Sequence, residues 1–89
     1  MRAIVTVVGP DRVGIIAEVC TLLAKLGINI VDISQTVMQD FFTMMMLTDL
    51  SKANTDFDGI ADALSAKGEE MGLSIRVQRE DIFQSMHRI

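Results

Sequence analysis

The sequence predicts an α+β fold in which a four-stranded antiparallel sheet carries two helices on one face, followed by a short C-terminal helix. Three observations carry this expectation. Runs rich in β-branched residues alternate with segments of helical spacing, glycines punctuate the junctions, and one β-α-β order occurs twice at nearly equal length.

The first run, residues 2–8, contains Ile4, Val5, Val7 and Val8 and ends at Gly9-Pro10-Asp11, so it reads as a strand. From Val13 to Leu26, Ile16, Val19, Cys20 and Leu23 recur at steps of three and four, an amphipathic helix that Gly27 closes. Residues 28–38 and 42–48 read as two more strands, and the short link Gln39 to Phe41 makes them antiparallel neighbours. Asn54-Thr55 is expected to cap a second helix carrying Phe57, Ile60, Leu64 and Met71, with Asp56 and Asp58 in its first turn and Gly72 at its end. Leu73, Ile75 and Val77 then alternate with Ser74, Arg76 and Gln78, a strand with one wet face. In the last ten residues Ile82, Met86 and Ile89 form one helical stripe.

The order β-α-β-β-α-β, with halves of about residues 1–39 and 41–80, is the ferredoxin-like arrangement. Right-handed crossovers place both helices on one face and leave the other bare. One domain is expected over residues 1–89, with a core at 1–79 and a terminal helix at 80–89. Strands one and three carry apolar residues in both alternating sets, so a second copy is expected to cover part of the surface, as a homodimer or higher even oligomer.

Composition narrows the function classes. In 89 residues, 49% are hydrophobic and 22% charged, the balance of an ordinary globular protein. Eight Lys and Arg against twelve Asp and Glu give a net charge of −4, and the four aromatics are all Phe. A nucleic-acid platform needs a basic groove and stacking rings, so no nucleic-acid partner is expected. No run approaches the length of a membrane span or has the form of a signal peptide. Cys20 is the only cysteine, which excludes an internal disulfide, and a cytoplasmic location is expected.

The segment Gly9 to Ala17 joins the first strand to the first helix. Its backbone N–H groups are expected to point outward at a helix N-terminus, which suits a carboxylate or phosphate, and Gly14 leaves room for close approach. The same residues also fit a structural role, with Asp11 as an N-cap and Gly14 as a packing glycine.

The run D-R-V-G-I-I-A-E-V at residues 11–19, followed by L-A-K-L-G-I-N-I-V-D-I at 23–33, resembles the ACT domain family, small-molecule-binding regulatory modules of this fold. The likeness covers the chain to about residue 80. More narrowly, Ser34-Gln35-Thr36-Val37, the Phe42-Thr43-Met44-Met45 strand and the C-terminal Ile82-Phe83 resemble short, free-standing ACT proteins without an assigned biochemical role. The resemblance implies amino-acid binding between the first loop and the start of the second strand. It nominates Asp11, Arg12, Val13, Gly14 and Ile15 from the loop, and Asn29, Ile30 and Asp32 from the strand. Many members have Pro directly before the glycine, where this chain has Val13, so its loop is less constrained in φ.

The chemistry of these side chains agrees with that assignment. A ligand carboxylate suits the helix-end amides, an ammonium suits Asp32 or the Asn29 carbonyl, and Arg12 could take a second carboxylate. Asn29 equally suits a turn after Gly27, and Asp32 a bulge between Ile30 and Ile33. No metal site or cofactor is expected: Asp56, Asp58 and Asp62 complement a helix dipole, and His87 stands without a second ligand. The Met44-Met45-Met46 run and Cys20 read as packing residues.

No Ser-His-Asp or Cys-His set is legible, so no catalytic residue is assigned and the expected function is not enzymatic. The reading is a regulatory module that binds a small molecule, in particular an amino acid, as a homo-oligomer, with a protein partner as a further expectation. Two alternatives are a purely structural oligomerisation module and an acylphosphatase-like hydrolase, which would use Arg12 and Asn29.

Overall fold

In the computed structural model, which describes residues 1–82, six elements follow in the order β1 (Arg2–Pro10), α1 (Ile15–Lys25), β2 (Asn29–Met38), β3 (Phe41–Asp49), α2 (Phe57–Met71) and β4 (Ser74–Arg79). The sheet order is β2-β3-β1-β4 and every pairing is antiparallel, the ferredoxin-like fold. The expected terminal helix at 80–89 lies largely outside the described residues. Glu80 to Ile82 begin a helical turn after β4.

Strand alternation sorts the side chains. Ala3, Val5 and Val7 of β1, and Phe42, Met44 and Met46 of β3, point to the helix side and are buried. They meet Ile15, Val19 and Leu23 of α1 and Ile60, Leu64 and Met71 of α2 in one core. Thr48, also in that layer, satisfies its hydroxyl by donating to the Ala3 carbonyl at 2.8 Å. Two of the three successive methionines are therefore core, and Met45 faces outward.

β1 runs past the expected end to Pro10, which pairs only with Phe41 of β3. Pairing with β4 stops at Val8, so the missing proline N–H disturbs no ladder on that side. Gln39 and Asp40 form the β2–β3 turn, with Gln39 at φ 55.

A correction falls at the start of α2. The cap is Asp56, whose side chain accepts from Gly59 N at 2.8 Å, rather than Asn54-Thr55. Asn54 instead serves α1: its N–H donates to the Leu26 carbonyl at 2.9 Å, and its side-chain amide donates to the Lys25 carbonyl at 2.7 Å. Asn54 thus satisfies carbonyls that the last turn of α1 leaves free.

Candidate functional site

Four residues, 11–14, join β1 to α1. The Asp11 N–H donates to the Asp40 carbonyl at 2.8 Å, which ties the loop to the β2–β3 turn. Gly14 then takes φ 92 and ψ 0, a backbone conformation that glycine adopts without a Cβ penalty, and its carbonyl accepts from Glu18 N at 2.9 Å. Gly14 is therefore the N-cap residue, and no side chain caps α1. Asp11 does not fill that role.

The open N-terminus of α1 faces a depression of about 520 Å³ between the loop, α1 and the far end of β2. Asp11, Arg12, Gly14 and Ile15 line it from the loop side, with Gln35, Val37 and Phe42 opposite. Its floor is apolar, since Ile15 and Phe42 belong to the core. Its rim carries the charges of Asp11 and Arg12. Val13, also nominated from the sequence, projects into solvent and is 97% exposed.

The nominated strand residues lie elsewhere. Asn29 pairs with Asp49, which pairs with Arg2, so the start of β2 sits beside the start of β1. The loop follows the opposite end, where Pro10, Phe41 and Met38 are neighbours. At about 3.3 Å per strand residue the two groups are on the order of 25 Å apart. Within one chain, then, Asn29, Ile30 and Asp32 do not join Asp11, Arg12, Val13, Gly14 and Ile15. The same separation keeps Arg12 from Asn29, the pair an acylphosphatase-like site would need.

The register slips between Ile30 and Asp32, a bulge that reverses the alternation of β2. Ile30 packs on the core, whereas Asp32 pairs with Leu47 on the outer face and its Oδ1 accepts from Ile33 N at 2.8 Å. Gln35 and Val37 return to the helix side opposite Met44 and Phe42. The sequence reading missed these two wall residues, although the short β2–β3 link carried the signal. A hairpin makes β2 parallel to β1, so the end of β2, and not its start, approaches the loop.

Among the remaining candidates, Asp56 is engaged as the α2 cap and burial pushes the half-buried Cys20 thiol up from its ordinary value. A raised thiol is mostly uncharged at neutral pH and so a poor nucleophile. No helix among the described residues is long and apolar enough to cross a membrane.

A ferredoxin-like sheet with an uncapped, glycine-led helix start beside an apolar depression is an arrangement that suits a small ligand. Comparison with known proteins makes it specific. The ACT domain family profile matches residues 2–78. A UPF0237 protein of Clostridium acetobutylicum is 55% identical over 89 residues, covering 100% of both chains. Among solved structures, an ACT domain protein from Streptococcus pneumoniae superposes with a TM-score of 0.83 at 43% identity, covering 94% of each chain. The regulatory subunit of aspartate kinase from Thermus thermophilus, in ligand-free form, gives 0.66 at 26% identity, over 86% of this chain and 50% of that one. The chain belongs to the ACT domain family of small-molecule-binding regulatory modules.

Proposed function

We propose that this protein is a non-enzymatic regulatory module that binds an amino acid or a similar small zwitterion at the β1–α1 loop, and that two copies complete the site. The observation that carries the reading is the uncapped N-terminus of α1 opening onto an apolar depression. Free helix-end N–H groups suit a carboxylate, and the apolar floor suits a side chain.

The second copy follows from β2. It is an edge strand of ten residues along which nearly every side chain is exposed, including Val31 at 51%, Ile33 at 42% and Val37 at 51%. A long exposed edge of this kind, half of it apolar, is a template for another strand. Antiparallel pairing of two β2 strands about an axis near Ile33 and Ser34 sets the start of each strand beside the end of the other. The partner's Ile30 then approaches the depression from the helix side, while Asn29 and Asp32 of the partner subunit stay on the outer face of the joined sheet. In this arrangement the loop and Ile30 meet across the two-fold although they stand apart within one chain.

Sedimentation together with a thermal-shift screen of the amino acids tests both parts. The expected result is a dimer whose melting temperature rises with a subset of amino acids. Ile33→Lys, at an exposed edge position, should give a folded monomer that has lost that response. A wild-type monomer of 9.8 kDa at micromolar concentration would overturn the shared site, and a dimer that answers to no amino acid would favour the structural alternative.

A further inference from the structure

The carboxylate of Glu18 joins three parts of the molecule. Its Oε2 accepts from Arg12 Nη2 at 3.1 Å, and its Oε1 lies 3.5 Å from Lys67 Nζ on α2. Lys67 in turn reaches Glu70 at 3.4 Å. Helical side chains lean toward the N-terminus, and Glu18, in the first turn of α1, leans back over the loop. Its Oε2 stands 3.9 Å from the point where a Cβ on Gly14 would be. The chain's own carboxylate therefore sits at the approach to the open helix end and holds the guanidinium on the rim of the depression.

On its other side Glu18 borders a smaller groove of about 240 Å³, shared with Thr21, Lys25 and Lys67. Ala17 lines both hollows, so the helix-face groove and the loop depression are separated by one turn of α1.

We propose that Glu18 is an internal competitor for the loop site: an incoming carboxylate takes Arg12 from it, and Glu18 shifts fully onto Lys67, which carries occupancy of the site to the groove between α1 and α2. This rests on the reading that the loop takes a carboxylate. The exchange is cheap because Glu18 and Arg12 are both substantially exposed, so their pairing is weak and a ligand can replace it. The coupling is reciprocal, so a change at Lys67 alters affinity at the loop without touching the ligand.

The test follows the backbone amides of Gly14 and Ile15 by NMR during titration of the full chain with acetate and, separately, inorganic phosphate. Wild type is compared with Glu18→Gln, Lys67→Met, the double variant and Glu69→Gln, which removes an equal charge from α2 at an exposed position. Glu18→Gln should tighten acetate about two- to five-fold, the range open to an exposed ion pair. Lys67→Met should weaken it, because Glu18 then serves Arg12 alone. The double variant should match Glu18→Gln, since Lys67 acts only through Glu18. Glu69→Gln should change nothing. Equal affinities throughout, an equal gain in Glu69→Gln, or a Lys67→Met loss that survives in the double variant would each overturn the competitor while leaving the site intact. Failure of both anions to give saturable shifts at Gly14 and Ile15 in every variant would remove the loop as a carboxylate site and the proposal with it.

Discussion

At the start of α2, Asp56 accepts from Gly59 N, and the loop before it is stitched down by the Asn54 bonds to Leu26 and Lys25 and by Ser51 N donating to Asp49 Oδ1 at 2.9 Å. At the start of α1, Gly14 stands in the cap position, no side chain closes the helix, and Val13 lies in open solvent. Both segments do the same topological task, carrying a strand into a helix that packs on one sheet. The second shows that the chain can close such a junction with its own side chains. The first leaves its helix end without a side-chain cap, the difference on which the proposed ligand site rests.

The largest effect expected to separate the two junctions is at Gly27, which holds the end of α1 against the second one. It has φ 76, and a Cβ there would lie 2.6 Å from the Lys52 carbonyl oxygen. Gly27→Ala combines a strained backbone with a clash against main chain, and should lower stability by about 3 kcal/mol in urea unfolding. Gly14→Ala carries the conformational strain alone, because the nearest atom to its added Cβ is Glu18 Oε2 at 3.9 Å. Its loss should be about 1 to 2 kcal/mol. Equal losses at the two glycines would mean that the close approach to Lys52 relaxes freely. A bulkier Gly14→Val projects into the mouth of the depression, so ligand response should fall further than stability does.

Next in size is the cap itself. Asp56→Ala should cost about 1 kcal/mol, the usual value of a side-chain N-cap. Asp11→Ala, the corresponding acidic residue of the first junction, should stay within about 0.5 kcal/mol, because no side-chain bond to the helix is lost. A loss at Asp11 as large as at Asp56 would make the first loop as structural as the second.

The element order was legible because β-branched runs, helical spacing and glycines at 27 and 72 agreed at each boundary. The β1–α1 loop was legible from Asp11 to Ile15 for a local reason: a strand, a short glycine-containing link and a helix start are contiguous in sequence. The long-range half of the site does not come together within one chain. Asn29 and Asp32 were joined to the loop by resemblance, whereas hairpin direction puts them at the other end of the sheet. The bulge at Ile30 and Asp32, one of the structural roles Asp32 suits by sequence, is what the backbone does there. The Arg12, Glu18 and Lys67 contacts depend on how two helices lie on the sheet, and no spacing rule relates residue 18 to residue 67.

The smallest effect distinguishes the second junction by pH. Asp49 accepts from the Ser51 N–H, and that bond, helped by the Ser51 hydroxyl, the amino terminus and Arg2, holds its carboxyl below the ordinary value of 3.8. Because the folded value lies below the unfolded one, the ionised carboxylate contributes stability above about 3.8. That contribution fades as pH falls through the depressed value and the acid takes up its proton. Asp49→Asn keeps an acceptor of the same shape and cannot titrate. The stability difference between wild type and Asp49→Asn should therefore be constant near neutral pH and shrink in acid. The carboxylate is open to solvent, so the change should be slight and should persist in salt to the extent that the Ser51 bond outweighs the charges of Arg2 and the amino terminus. A difference that stays flat to the acid limit would show that the Ser51 bond does not favour the ionised form, and would leave Asp56 and Asn54 as the contacts that close this junction.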